Sequence, residues 1–322
     1  MLNMKLHFTV IILSLIFLNA CSKVEPPPLI KIATNPWPGY EFLHLAEKNG
    51  YFEQVGLNIE LVELGSLSDA QTTYVSGYVD GLTSTLIEVI QAEALGGKPL
   101  KVIAFTDYSN GGDVIIGKGD INDIISLKGK RVGCEVSSLG LFILQRALVK
   151  YGLTLDDVEV VNVEQSDGLN AFKNDLVDAF VSYPPMSLDI LKHQESQVIF
   201  DTSEIPYEVL DTISVSTDIL IKAPNFQRKF LQAWKMAIDF TAKYPIKAYE
   251  IMAKREGITS QEFQDALAGM VILDEEKQKI LFADNSKLNA MAETVCDVLI
   301  EANAIFRDCQ NLPNLFITEQ SK

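Results

Sequence analysis

Short apolar runs rich in Val, Ile and Leu alternate with helix-length stretches from residue 29 onward. In the first part of the chain, strands are predicted at 29–33, 57–64, 80–82 and 100–105. Helices are predicted between them, ending near residue 52 and covering 66–77 and 85–94. Strands that alternate with helices at this spacing favour a mainly parallel sheet with helices on both faces.

A second series of the same kind begins after Gly111-Gly112. Strands are predicted at 114–117, 131–134, 158–163 and 179–182, and helices at 138–151 and 168–174. Leu141, Leu144 and Leu148 recur on one face of the first of these helices. A β-like run at 209–215 precedes a C-terminal part with a helical pattern.

Two α/β series followed by helices predict an α/β fold with two lobes, a hinge and a cleft between the lobes. Ligands of open α/β sheets bind at the carboxyl ends of the strands, so two facing sheets would enclose a site. We assign 29–111 and 212–305 to the first lobe, 112–211 to the second lobe and 306–322 to a C-terminal tail.

The first 20 residues have a different pattern, which is typical of export. Lys5 precedes an apolar run, 8–18, that is too short to span a membrane as a helix. Ala20-Cys21 resembles a bacterial lipobox, so Cys21 is the predicted lipidated first residue, although a plain signal peptide remains the alternative. Residues 21–28 are Pro-rich and predict an extended tether. We expect an exported lipoprotein in the periplasm or at the cell surface, held to the membrane by its lipid anchor alone.

Composition allows a sizeable core and narrows the range of partners. The chain is 48% hydrophobic and carries a formal net charge of −16. Such acidity argues against nucleic acid and against a polybasic contact with anionic lipids. Of the remaining cysteines, Cys296 and Cys309 are close enough in sequence to pair, which we leave open, and Cys134 is a predicted buried thiol. No cysteine spacing resembles a zinc site, and no metal or cofactor is expected.

Several short motifs in a fixed order carry a resemblance to a known family. They include Trp37-Pro38-Gly39-Tyr40, Gly77-Tyr78-Val79-Asp80 and the segment from Asp107 to Asp113, followed by 127–133 and 176–179. The chain resembles the nitrate/sulfonate/taurine family of ABC-transporter substrate-binding proteins, some of which take pyrimidine precursors. The resemblance implies a periplasmic binding protein type II fold and delivery of a small molecule to a permease and its ATPase. We also expect a monomeric protein. The segment 182–185 departs from the family because Pro184 stands where relatives often carry an acidic residue.

Aromatic and hydroxyl side chains at predicted strand ends are the first candidates for ligand contact. Trp37 and Tyr40 follow the first strand and could stack on a planar or cationic ligand, although Trp37 could equally pack within its own lobe. Ser84 and Thr85 lie at a predicted helix start, where capping is the alternative role. Ser137 and Ser138 begin the second-lobe helix, whose free N–H groups favour an anion, and capping is again the alternative.

Four acidic residues are predicted at strand ends or near the hinge, namely Asp107, Asp113, Glu135 and Asp211. Together they suit an ammonium or amidine-like group. Lys and Arg are scarce in the predicted cleft loops, which argues against a simple oxyanion ligand. The complete set of predicted ligand-binding residues is Trp37, Tyr40, Ser84, Thr85, Asp107, Ser109, Asp113, Glu135, Ser137, Ser138, Tyr183 and Asp211.

Binding rather than catalysis is the predicted activity. Only three histidines occur, no cysteine cluster is present, and no Gly-x-Ser-x-Gly segment is found. We therefore expect a solute-binding protein that is not an enzyme and captures a small polar molecule, whose identity and charge stay open although the acidic residues suit an amine. Two alternatives stay open: a ligand-sensing subunit of a membrane receptor, and an enzyme resembling pyrimidine-precursor synthases.

Overall fold

Two mixed β-sheets, each flanked by helices, form two lobes. The computed structural model describes residues 26–305, 312 and 315–317. The six-stranded sheet of the first lobe has the order β11-β4-β10-β3-β1-β2 and the five-stranded sheet of the second has the order β7-β6-β8-β5-β9. Their strands are β1 Leu29–Thr34, β2 Asn58–Glu63, β3 Gly81–Thr85, β4 Leu100–Ser109, β5 Val114–Lys118, β6 Arg131–Cys134, β7 Glu159–Asn162, β8 Ala179–Ser182, β9 Ser196–Asp201, β10 Leu210–Ser216 and β11 Met270–Ile272.

The two sheets share one topology. In the first, β1 pairs in parallel with β2 and β3, and β10 runs antiparallel between β3 and β4. In the second, β6 pairs in parallel with β7 and β8, and β5 runs antiparallel between β8 and β9. The antiparallel strand of each sheet is the one that arrives from the other lobe. The carboxyl ends of the parallel strands therefore face the cleft in both lobes.

Thirteen α-helices in the described residues cover the sheets and fill the C-terminal part. The first-lobe helices before the crossover are α1 Glu41–Lys48, α2 Tyr51–Gln54, α3 Leu67–Val75 and α4 Leu86–Ala94. The second lobe contains α5 Leu139–Lys150, α6 Gln165–Lys173 and α7 Met186–Leu191. The remainder are α8 Thr217–Lys222, α9 Phe226–Lys243, α10 Pro245–Glu256, α11 Ser260–Leu267, α12 Glu275–Ala283 and α13 Asn285–Glu301.

Amphipathic spacing explains how these helices pack. Phe230, Trp234 and Ala237 lie four and three residues apart, so they share one face of α9, and all three are buried. Pro245 opens α10, where its missing N–H costs no helical hydrogen bond. The last helix, α13, packs against α4 of the first lobe and α5 of the second, so it spans both lobes.

Two crossovers join the lobes and are hydrogen-bonded to each other. One lies between β4 and β5, and the other, between β9 and β10, begins with a single turn at Thr202–Glu204. The Ser109 and Thr202 hydroxyls are 2.6 Å apart, and Gly111 N donates to Thr202 Oγ1 at 2.9 Å. Gly111 has φ +108°, a conformation that favours glycine. The two crossover segments together form the hinge region.

Most predicted strands are present, with shifted ends. The third strand is Gly81–Thr85 rather than 80–82, so Ser84 and Thr85 belong to the strand and do not follow it. Asp211 is likewise inside β10, paired in register with Thr85. Strands β9 and β11 were not predicted, because their short sequences lack a clear alternation of apolar and polar residues.

The cysteine and targeting predictions are only partly within the described residues. Cys134 is a buried free thiol, as expected from its strand position. Cys296 is disulfide-bonded, and its predicted partner Cys309 lies outside the described residues. Cys21 and the signal peptide also lie outside them, as does most of the tail 306–322. Within the described residues, no helix has the length and apolar character needed to cross a membrane.

Candidate functional site

A buried cavity lies between the two lobes, where the strand ends meet. Its empty volume of about 180 Å³ includes space that is open to solvent. Residues of both lobes line it, and every one of them is buried: Asn35, Trp37, Tyr40, Leu67, Asp113, Leu139, Tyr183 and Asp211. Among the described residues, no basic side chain lines the cavity. The protein is therefore in a closed form with an acidic interior.

The loop after β1 brings Trp37 against a buried carboxylate. Trp37 Nε1 donates to both oxygens of Asp107, at 3.2 and 3.3 Å. Gly39 permits this approach, since a Cβ at that position would lie 1.9 Å from Asp107 Oδ2. The indole is thus fixed by a hydrogen bond and by a close backbone approach that only glycine allows.

Trp37 also reaches across the hinge to the second lobe. Its ring lies 6.0 Å from that of Tyr183, at an interplanar angle of 82°, so the two rings meet edge to face. A Cβ on Gly112 would lie 2.9 Å from Trp37 Cη2. The two rings are perpendicular walls of the cavity, one from each lobe.

Two carboxyl groups point unpaired into the cavity. Both Oδ1 and Oδ2 of Asp113 and the Oδ2 of Asp211 are buried without a hydrogen-bond partner. The remaining oxygen of Asp211, Oδ1, accepts from Tyr40 OH at 2.6 Å. Buried polar atoms without partners are rare in native proteins, so these three oxygens are candidate ligand contacts because they also belong to residues that line the cavity.

Burial without a cation shifts the protonation of these acids. Burial raises the pKa of Asp113 to about 7, and the charges of Asp107 and Glu88 add to the rise. Burial likewise raises the pKa of Asp107 to about 7, against the hydrogen bonds it accepts. For Asp211, burial first and then the neighbouring Asp107 and Asp113 place the pKa well above its usual range. A bound cation would oppose all three shifts.

The second lobe adds a further acid behind Tyr183. Glu135 directly follows β6, its Oε1 accepts from Gln165 N at 3.3 Å, and its Oε2 has no partner. Burial raises the pKa of Glu135 to about 8. The hydroxyl of Tyr183 is also buried without a partner. Tyr183 lines the cavity, and burial together with the charge of Glu135 raises the pKa of its hydroxyl.

The other predicted residues lie around the cavity rather than in its lining. Ser84 Oγ is 3.5 Å from Thr212 Oγ1 inside the sheet, and Thr85 caps α4 by accepting from Ile87 N. Ser109 is part of the hinge contact described above. Ser137 Oγ lies 2.9 Å from Ser68 Oγ of the first lobe, and Ser138 Oγ donates to Glu88 at 2.9 Å. Each of these hydroxyls thus has a protein partner.

Sequence reasoning missed four residues near the site. Asn35, Leu67 and Leu139 line the cavity, and Glu88 contacts the second lobe from α4. Asn35 stands two residues before Trp37, but nothing in the sequence sets it apart. A signal did exist for Glu88, since Thr85-Leu86-Ile87-Glu88 has the Thr-x-x-Glu spacing of a capping box.

Comparison with solved structures places the fold among two-lobed binding proteins. The chain is similar to the periplasmic aliphatic sulphonate-binding protein SsuA of Escherichia coli, with a TM-score of 0.73 and 18% identity over 91% of this chain and 93% of that one. It is also similar to the periplasmic nitrate-binding protein NrtA of Synechocystis PCC 6803, with a TM-score of 0.70 and 12% identity, over 90% and 86% of the two chains. The predicted fold class, a two-lobed periplasmic binding protein fold with a hinge and a cleft, is confirmed.

Sequence comparison identifies the family. A curated relative is the 4-amino-5-hydroxymethyl-2-methylpyrimidine phosphate synthase THI11 of Saccharomyces cerevisiae, 27% identical over 232 residues, which is 67% of each chain. The family model described as NMT1/THI5 like matches residues 37–248, which contain Trp37, the hinge and the whole second lobe. The chain therefore belongs to the NMT1/THI5-like family, built on the same two-lobed fold as the sulfonate- and nitrate-binding components of ABC transporters.

Proposed function

We propose that this protein captures a small solute bearing a positive or amidine-like group and delivers it to an ABC transporter permease. The observation that carries the proposal is the pair Asp113 and Asp211, whose three unpartnered oxygens face a closed cavity with no basic lining residue. An ionised carboxylate buried without a partner is costly, so closure on a cation is more favourable than closure on an empty cleft. An anion in the same cavity would meet like charge.

A flat ligand fits the aromatic walls. Trp37 and Tyr183 present perpendicular ring surfaces, so a planar guest can lie against one ring and meet the edge of the other. An aminopyrimidine carries an amino group beside a ring nitrogen, and its protonated form donates two parallel hydrogen bonds to a carboxylate. The name of the yeast relative refers to such a ring. A small aminopyrimidine or a related planar cation is the ligand class that we propose.

The transport role is supported by the fold and by the chain's first 28 residues. Proteins of the same fold are named as periplasmic binding proteins. After removal of the predicted signal peptide, lipidated Cys21 and the tether would hold the two lobes at a membrane surface, as a monomer beside the permease and its ATPase. A receptor subunit would use the same cleft, and binding to a purified permease, rather than to a receptor, is the outcome that separates the two roles.

A synthase role is the second candidate, because the yeast relatives are named as pyrimidine phosphate synthases. The described residues contain no group of three or more His, Cys, Asp or Glu placed to hold a metal ion. Binding and synthesis are separated by incubating the protein with a pyrimidine probe: recovery of the probe unchanged supports binding, and conversion supports an enzyme.

The test is a ligand panel on residues 22–322, which leave out the predicted signal peptide and the lipidated Cys21. Thermal shift followed by calorimetry would compare 4-amino-5-hydroxymethyl-2-methylpyrimidine, a simple alkylamine, taurine and nitrate, because a ligand that binds the native state raises its melting temperature. Asp113→Asn should weaken binding of the cationic probes by at least about 2 kcal/mol, and Asp120→Asn, at an exposed position of the second lobe, should leave it intact. Binding of taurine or nitrate with no response to the amines would overturn the proposal.

A further inference from the structure

Glu88 connects the N-termini of two helices that belong to different lobes. It is the third residue of α4, and its Oε2 accepts from Thr85 N at 2.8 Å and from Thr85 Oγ1 at 2.6 Å. Its other oxygen, Oε1, accepts from Ser138 Oγ at 2.9 Å and from Leu139 N at 2.8 Å. One carboxylate thus accepts four hydrogen bonds, two from the first lobe and two from the second.

The second-lobe donors belong to the N-terminus of α5, at the wall of the cavity. Ser138 is the N-cap residue of α5, yet its side chain does not cap its own helix. Leu139, the first residue of the helix, lines the cavity. The N-terminus of a twelve-residue helix attracts anions through its free N–H groups and its dipole. In the closed protein, Glu88 already occupies this position.

The charge of Glu88 also acts on the acidic residues of the cleft. It contributes to the raised pKa values of Asp113 and Asp211. Burial raises the pKa of Glu88 itself, and the hydrogen bonds from Thr85, Ser138 and Leu139 oppose that rise. Four donors pointing at one carboxyl group, with no acceptor opposite, suit its ionised form.

The contact joins residues of the two lobes. Glu88 is rooted in the first lobe by Thr85, whereas Ser138 and Leu139 move with the second lobe. Opening of the hinge that separates α4 from α5 breaks both bonds to Oε1. The same movement would leave the N-terminus of α5 free to attract an anion from solution.

We propose that Glu88 is a specificity-determining residue: on closure its carboxylate fills the anion-attracting N-terminus of α5, so the protein's own anion replaces a ligand anion there and the closed cleft selects cations. This proposal rests on the proposed function, since it names how the same cleft rejects oxyanions. A ligand anion could reach these donors only by displacing a side chain that two further hydrogen bonds hold in place.

The experiment compares wild type, Glu88→Gln, Ser138→Ala and the double variant. Lobe closure is measured by small-angle X-ray scattering, and affinities for an aminopyrimidine probe and for taurine are measured by calorimetry. Ser138→Ala removes one cross-lobe donor without touching the cap of α4, so it remains informative if Glu88→Gln folds poorly. Asp157→Asn is the matched control, because Asp157 completes a capping box with Thr154 and contacts only its own lobe.

We expect Glu88→Gln to lower the closed fraction and to reduce the ratio of aminopyrimidine to taurine affinity at least tenfold. Ser138→Ala should have a smaller effect of the same sign, and the effects should not add in the double variant, because the two residues act through one contact. Unchanged closure, an unchanged affinity ratio or additive effects would overturn the proposal. If wild type binds neither probe, the proposed function fails, and the closed fraction alone then decides the role of Glu88.

Discussion

The first lobe holds a buried carboxylate that has its own cation, and the cleft holds buried carboxylates that have none. Glu41 is fully buried, and Arg255 Nε donates to both of its oxygens at 2.7 Å, while Arg255 also contacts Glu63 at 2.9 Å. Burial raises the pKa of Glu41, and the charge of Arg255 opposes that rise. Asp113 is equally buried, but its neighbours Asp107 and Glu88 add to the rise in its pKa.

The contrast between Glu41 and the cleft acids distinguishes a structural ion pair from a candidate binding site. The pair of Glu41 and Arg255 is complete in the folded chain, so it stabilises the wall of the first lobe. The cleft acids have no cation among the described residues, and under the proposed function a ligand supplies it. Glu256 lies beside Glu41 and has no hydrogen-bond partner, and burial raises its pKa well above the usual range. It differs from the cleft acids in that it does not line the cavity.

Removing the internal cation should have the largest effect. Arg255→Met leaves Glu41 buried and unpaired, and we expect a loss of about 3–5 kcal/mol in the free energy of unfolding. Urea denaturation measures it. The control is Lys235→Met, which removes an exposed ion pair with Asp239 and should cost less than about 1 kcal/mol. Equal losses in the two variants would contradict the distinction between a buried and an exposed pair.

Removing a cleft acid should weaken binding without lowering stability. Asp113→Asn deletes a buried charge that no cation of the described residues compensates and whose pKa burial raises to about 7, so the free energy of unfolding at neutral pH should stay the same or rise. Affinity for a cationic probe should fall by about 2–5 kcal/mol, measured by calorimetry, because the ligand's charge loses its partner. A marked loss of stability with unchanged affinity would show that Asp113 is a structural residue like Glu41.

Acidification should move stability and binding in opposite directions. The folded pKa of Asp113, about 7, lies above its ordinary value of 3.8, so between these values the folded protein binds more protons than the unfolded chain. As the pH falls from 7 to 5, the protonation of Asp113 should therefore raise the free energy of unfolding by about 2 kcal/mol. Comparison of wild type with Asp113→Asn isolates this slope from other titrating groups. Affinity for a cation should fall over the same interval, and parallel changes would contradict the assignment.

The smallest effect is expected at the indole. Trp37→Phe keeps an aromatic wall but removes the donor to Asp107, which should weaken binding of a planar cation by about 1 kcal/mol. Calorimetry on the folded variant measures the loss. Trp37→Ala should weaken binding further. Affinity unchanged in both variants would remove Trp37 from the site.

The local pattern of apolar and polar residues was enough to predict the fold and some of the strand ends that carry site residues. Leu29–Thr34 and Arg131–Cys134 are recognisable as strands because apolar β-branched residues cluster within them. Trp37 and Asp113 could be placed near the cleft because residues at strand ends and crossovers collect there. The position of Leu139 in the cavity depends on lobe closure, which no local pattern encodes.

The absence of a cation in the cleft was only partly foreseeable. The scarcity of Lys and Arg in the cleft loops was visible in the sequence. That Arg255 pairs with Glu41 rather than with a cleft acid was not, because 214 residues separate them. The roles of Ser137 and Ser138 also depended on tertiary contacts, since their partners Ser68 and Glu88 lie in the other lobe.

The hinge lies beside the acids of the cleft. Asp113 immediately precedes β5 and Asp211 is the second residue of β10, so each stands next to a crossover. If the lobes open at this hinge, water would reach these carboxyl groups, and their pKa values would fall so that protons leave. An open molecule is then more negative than a closed empty one, and it attracts a cation at a rate that falls as ionic strength rises. Closure of an empty cleft should take up protons, whereas closure around a cation should not. A pH indicator in weak buffer would therefore report whether the lobes have closed around a ligand.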